Sequence, residues 1–529
     1  MFFNRINETD YLIMKKNNFL NSVIYAYLIL LFGGLPLYMQ DKLVMIGNAK
    51  YNFFRNTTMA IGAVVLLGVL YTGIRDRKRL SGLRALRDMS RLDTFMLLYL
   101  GTVILSYLTS PYKENGFWGY PGWYMGLVTQ LLLVGIYFAC SRFYDGSKSI
   151  WIIAGTVAGI VTLIGLLNRL DMDVLGVFRG MENGAWNRTH LLSTIGNNNW
   201  YAGYISVTAG ITMAAALCGK KYGRIAGILG SFLFYASALT ADCITSVAAA
   251  VGLSLLILLL SLKERSKLLR ALELTMLLPV ADFAVYLWMR SGITGLVLEG
   301  ESEKRLFFSP VWFVLFAVQM ICYLVLRRRE KLARRDLLQD GRIFRIVWIA
   351  VAVAAAVGLL SLGSFLVMGE TILRQQETGW LSEVLKMANG RPALWCVTVQ
   401  TYFQENIFYK IVGMGPDSYY DVLYQWGTGA MKWINEGLLE NSIYTNAHNE
   451  WLTMLIEQGI LGVIAYGGIF VTGLGALWKK LWQRPEYLAV FLGIAGYLIC
   501  SLFTFQHVLS TPFAFALLGM AGGVLFSVP

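Results

Sequence analysis

The sequence predicts an all-α protein, a polytopic bundle of about 14 transmembrane helices, and three observations carry that prediction. Of the 529 residues, 56% are hydrophobic and only 15% charged, well below what the surface of a soluble protein this large carries. Long uncharged stretches recur along the whole chain, each close to the roughly 20 residues a helix needs to cross a bilayer. Their apolar residues are continuous rather than alternating, which excludes a β-barrel.

In order, the expected spans cover residues 18–38, 57–74, 92–110, 121–140, 150–168, 200–218, 225–241, 243–262, 271–289, 310–326, 344–368, 451–477, 487–506 and 512–527. The first is too long for the apolar part of a signal peptide and no small-residue cleavage site follows it, so it reads as a retained span. Residues 225–262 hold only Asp242 as a charge and divide into two helices with a tight turn there. Reading them as one helix would move the Arg327-Arg328-Arg329 cluster to the side poor in basic residues. The span at 271–289 is interrupted by Pro279 and Asp282.

With the N-terminus in the cytoplasm, both termini lie inside, and the internal segments hold thirty of the forty-five Lys and Arg residues. This positive-inside bias accounts for the net charge of +13 without any nucleic-acid partner. The six cysteines form no external disulfide framework, because only Cys396 falls clearly in an external loop. No Cys/His cluster suggests a metal.

The chain reads as a single integral membrane domain over 1–529, with two substantial external loops, 169–199 and 369–450. Loops of that length in a compact bundle tend to be functional. Within the larger one, Gly390-Arg391-Pro392 predicts a short helix from Pro392 to about Asn406, with Trp395, Val399, Tyr402 and Phe403 at helical spacing. Gly413 to Asp417 reads as a turn.

His448, one of three histidines, opens the helix of the twelfth span. On a continuous helix Gly459 and Gly462 would lie within about 40° of it, which turns His448 into the bundle and sets Glu450 and Glu457 nearly opposite. A histidine hydrogen-bonded at a helix start, without chemistry, is the plain alternative. Arg391, just before the expected helix N-terminus, suits a phosphate or diphosphate; a solvated loop arginine is the plain alternative. In the other loop, Asn197 to Asn199 suit a helix cap, and Arg188 would add a second cation, with His190 a weaker candidate. Asp242 is either a turn residue or an acceptor for one of these arginines. Asp171-Met172-Asp173 mimics a metal-binding DxD, a pattern common by chance.

Three blocks resemble the O-antigen ligase and polymerase family of membrane glycosyltransferases: Gly390-Arg391 with Leu394-Trp395, the Gly413-Met414-Gly415-Pro416 turn, and Ala447-His448-Asn449-Glu450 through Leu452, Glu457-Gln458-Gly459 and Gly462. Gly196-Asn197 with Asn199 and Ala202 forms a fourth. The chain departs from the family where Thr240-Ala241-Asp242-Cys243 replaces a stretch that often carries an arginine, and where Asn198 replaces a proline. The resemblance implies transfer of a glycan from an undecaprenyl-diphosphate carrier to an acceptor hydroxyl on a glycan, lipid or protein, at the outer face of the bacterial cytoplasmic membrane. It implies His448 as the base that activates the acceptor, Arg391 as the diphosphate clamp and Glu450 as helper or cap. Arg188, Asn197, Asn199, Trp395 and Asp242 would contact the donor, and neither metal nor cofactor is expected. Fourteen spans also suit a flippase for lipid-linked oligosaccharides, although such a transporter should place charges inside its helices.

Overall fold

A computed structural model describes residues 18–75, 89–181, 184–298, 309–330, 342–368, 380–426 and 443–525. The basic segments 1–17, 76–88 and 331–341, and the parts 369–379 and 427–442 of the large loop, lie outside the described residues.

The protein is an all-α bundle. Ten of the described helices are long and apolar enough to cross a membrane, and three shorter apolar helices, Leu127–Phe143, Pro485–Ser501 and Thr511–Gly522, occupy further expected spans. At the centre stands Asn198–Cys218, whose apolar window is 83% buried. It packs on Pro485–Ser501, where a Cβ added to Gly210 or Gly496 would meet the other helix's backbone. Small residues let two membrane helices come this close, and dispersion then holds them without help from water. The window of Phe344–Val367 has none of its residues buried and that of Ile46–Ile74 only 6%, so these helices form the rim that faces lipid.

Three expectations about helix bounds need correction. The stretch 271–289 is two helices, Arg265–Thr275 and Leu277–Ser291. Pro279 has no N–H to offer the Thr275 carbonyl, and its ring crowds that oxygen, so the helix breaks there. The twelfth span also divides, into Glu450–Glu457 and Gly459–Trp478, with Gly459 at φ +62°. Here the outer loop takes the carbonyls a continuous helix would use: Met414 N–H donates to Ile456 O (3.0 Å) and Gly415 N–H to Glu457 O (2.8 Å). Finally, Pro392 does not begin a helix. It lies inside Trp380–Gln404, and the distortion falls on Gly390, at φ +75°.

The loops expected on the outer side meet at one end of the bundle. Thr194 Oγ1 donates to Pro36 O (2.7 Å), Tyr124 OH to Asn48 Oδ1 (2.9 Å), and Asn449 Nδ2 to Leu502 O (3.0 Å). The large loop has its own small core, with Leu394, Val397, Met414, Tyr419, Val422 and Ile456 at its centre. Asp417 fastens that core to the bundle by accepting the backbone N–H groups of Tyr120 (2.7 Å) and Met125 (2.9 Å).

Candidate active site

Arg391 and Asn199, drawn from the two loops, are in direct contact. Arg391 Nη2 donates to Asn199 Oδ1 at 3.0 Å, across 192 residues of sequence. The Cys243 thiol donates to the same oxygen (3.2 Å), and Asn198 Nδ2 donates to Asp242 O (3.0 Å), so the turn at 241–243 sits beneath the arginine. Asn197 caps the helix Asn198–Cys218 by accepting the N–H of Asn199 (2.8 Å). Arg391 is 8% exposed, and its Nη1 has no hydrogen-bond partner. A buried guanidinium nitrogen held in place but unpaired is a ready donor for an anion.

His448 lies close enough to Arg391 for the guanidinium charge to act on it. It does not ride on the helix, as a continuous twelfth span would require. It precedes the helix at φ +47°, with its N–H donating to Asn446 Oδ1 (2.9 Å). The facing of His448 toward Gly459 and Gly462 therefore fails as an argument, because the helix is broken between them. The ring instead stands edge-on to Phe505, centroids 5.4 Å apart, and its Nδ1 has no partner. Burial, then the Arg391 charge, push its pKa down to about 3, so the imidazole is neutral at ordinary pH.

The other histidines are differently placed. In His507, Nδ1 accepts the Leu509 N–H (3.3 Å) and Nε2 meets Ser510 Oγ (3.0 Å), so both ring nitrogens are engaged. His190 stacks on Trp186 at 4.2 Å and its Nδ1 meets Thr189 Oγ1 (2.9 Å).

Trp395 joins the loop helix to the histidine turn, its Nε1 donating to Ala447 O (3.0 Å). The helix cap after His448 is Asn449, which accepts the N–H groups of Trp451 and Leu452 (3.1 Å each). Glu450, expected as helper or cap, is therefore not the cap. Its carboxylate turns inward and accepts from Tyr466 OH, from Tyr497 OH (2.8 Å) and weakly from Gln506 Nε2 (3.4 Å). Burial raises its pKa to about 7 against those hydrogen bonds.

Arg188 is paired with Asp171, both half exposed, and its ring neighbour is Phe178. Asp173 accepts the backbone N–H groups of Val177 (2.8 Å) and Phe178 (3.0 Å). Both aspartates of the DxD thus serve the loop itself, and no group of three His, Cys, Asp or Glu that could hold a metal occurs among the described residues.

Arg169, Trp123, Phe505 and Gln506 were not singled out from the sequence. Arg169, 1% exposed, donates to the carbonyls of Arg188 (2.8 Å), Thr189 (2.7 Å) and Ala241 (2.9 Å), tying the smaller loop to the turn beneath Arg391. Its place at a span end was visible, but nothing in one sequence says which carbonyls an arginine gathers. Trp123 stacks edge-on to Phe505 (4.5 Å) and Trp200 (5.7 Å), forming an aromatic floor beside His448.

Residues 308–467 match the family model described as O-antigen ligase. The match takes in Arg391, Trp395, His448 and Glu450 and leaves out the Asn199 and Asp242 side of the site. No curated protein matches the chain.

Proposed function

We propose that this multi-pass membrane protein, which matches the O-antigen ligase family model over residues 308–467, acts as a member of that family and transfers a glycan from an undecaprenyl-diphosphate carrier to an acceptor hydroxyl on the outer face of the bacterial cytoplasmic membrane. The observation that carries the reading is the pairing of an unpartnered, buried Arg391 Nη1 with a nearby neutral His448 whose Nδ1 is also unpartnered.

In the reaction, the acceptor oxygen bonds to the anomeric carbon as the bond from that carbon to the diphosphate breaks, and the electron pair leaves with the diphosphate. Charge grows on the leaving group, and Arg391, oriented by Asn199, stabilises it where it forms. His448 takes the hydroxyl proton. Arg391's charge is one reason its proton affinity is low. A diphosphate drawn onto the guanidinium offsets that charge, so donor binding itself raises His448 toward the range useful for a base. In this reading Arg391 carries the electrostatic task, with no metal ion or cofactor. Trp395, through Ala447, keeps the clamp and the base in register.

Mass spectrometry of lipid-linked glycans from cells with and without the protein tests the reading. Single repeat units accumulating in the deletion identify a polymerase, and long chains stranded on the carrier identify a ligase. An unchanged lipid-linked pool would refute both.

A further inference from the structure

A cavity of about 30 Å³ is lined by Asn446 and Phe505, both of which contact His448, and by Asp417, Glu450, Glu457 and Gln458. A buried water needs roughly 10–15 Å³ and two to four polar partners, so the space suits one or two waters. Among the described residues no Lys or Arg lines it. Gln458 is 2% exposed, and its Oε1 has no donor. Three carboxylates thus line one small space that, among the described residues, no cation balances. Burial in such surroundings raises the proton affinity of a carboxylate.

Resting on the glycosyl-transfer reading above, we propose that this cavity is the proton acceptor of the reaction: water held between Asn446 and Glu450 passes the proton taken up by His448 on to the Glu450 carboxylate. The hydroxyl O–H bond breaks, the proton moves from the His448 ring to a cavity water, and that water's own proton goes to Glu450. His448 is left neutral for the next turnover. Glu450 later releases the proton to bulk water. Glu450 does not touch substrate; it acts through His448. The groups facing it are Tyr466 and Tyr497 by hydrogen bond, Tyr99 and Cys500 within electrostatic reach, and Asp417 and Glu457 around the cavity. None is a cation, and a carboxyl near neutrality can load and unload at working pH.

Two measurements on the full chain in lipid nanodiscs test this, using wild type and Glu450→Gln. Infrared difference spectra across pH 5–9 should contain a carboxylic acid band that titrates in wild type and is lost in Glu450→Gln. Burial also raises Asp417, to about 6, so a carboxyl titrating there should remain in the variant; a wild-type spectrum that loses no band near pH 7 on Glu450→Gln substitution overturns the proposal. Kinetically, wild-type kcat should fall as pH drops below about 7, when Glu450 is already loaded. Glu450→Gln should lose that acidic limb, with kcat at pH 7.5 reduced at least tenfold and the KM for donor unchanged. A Glu450→Gln protein with wild-type kcat at every pH overturns the cavity's role while leaving the transfer reading intact. A wild type that transfers nothing from any polyprenyl-diphosphate donor overturns the transfer reading and the cavity's role together. A chromatographic profile and thermal unfolding temperature matched to wild type control for folding.

Discussion

Replacing Arg391 by lysine keeps the positive charge and removes the fork, and so separates charge from geometry. In the native site Nη2 is held by Asn199 Oδ1 at 3.0 Å while Nη1 is left without a partner. A lysine has one nitrogen, which can stay with Asn199 or turn to the diphosphate without reproducing a planar pair of donors. Losing one preorganised donor to developing charge costs about 2.7–4 kcal/mol, or 10²–10³ in kcat. The defect should fall on kcat, because the charge that draws the donor in is kept and the KM for donor should change less than about tenfold. The assay is initial-rate transfer from a lipid-diphosphate donor by protein in nanodiscs, with expression and chromatographic profile matched to wild type. Asn199→Ala should weaken the same interaction and add little when combined with Arg391→Lys, since both act through one guanidinium. Lysine giving kcat within threefold of wild type would refute the clamp geometry, as would a defect confined to KM.

Trp395→Phe removes the indole N–H to Ala447 O and should lower kcat several-fold while costing about 1 kcal/mol of stability, read by thermal unfolding in detergent. Gly413→Ala should prevent stable assembly, because Gly413 sits at φ +88° and a Cβ there would collide with the Glu457 carbonyl; Gly475→Ala, which meets open space on a helix, should unfold at or slightly above the wild-type temperature. His448 should abolish transfer when replaced by glutamine, with the protein still inserted in the membrane. Because the folded state lowers its pKa from 6.5 to about 3, its contribution to stability is present above pH 6.5 and lost as pH falls toward 3. Wild type should therefore lose more thermal stability than His448→Gln between pH 7.5 and 5, and equal losses would contradict the burial of a neutral ring.

The helices were legible because bilayer thickness and lipid apolarity impose a length and a composition that no local detail can override. Breaks were less legible. Pro279 announced one of them, since a proline acts through its own missing N–H. The break at Gln458–Gly459 was hidden, because it depends on Met414 and Gly415 arriving from another part of the chain to take the Ile456 and Glu457 carbonyls. The same distinction governs the site. Arg391, Asn199 and Trp395 could be picked out by residue type and position, but the contact from Arg391 to Asn199 spans 192 residues and leaves no periodic trace. Arguing His448's direction from an unbroken helix gave the wrong neighbours for that reason, although it still pointed to a residue inside the protein.

The seam between bundle and loop also bears on the transporter alternative. A flippase needs charges exposed to a polar path through its helices. Three charges buried near the helix ends here are each consumed locally. Lys50 donates to the carbonyls of Leu35 and Pro36 (2.8 Å each), Asp93 pairs with Arg142 (3.1 Å), and Arg169 gathers loop carbonyls. By contrast, the unpartnered nitrogens of Arg391 and His448 lie at the end of the bundle, where one comes from a loop helix and the other from the turn before Glu450–Glu457. Desolvating a polar atom without a partner is costly, and here a guanidinium nitrogen and an imidazole nitrogen without partners belong to side chains within electrostatic reach of one another, an arrangement suited to binding a ligand. Their position at the mouth of the bundle, rather than along its length, is what a reaction on a membrane-anchored donor needs and what a translocation path does not.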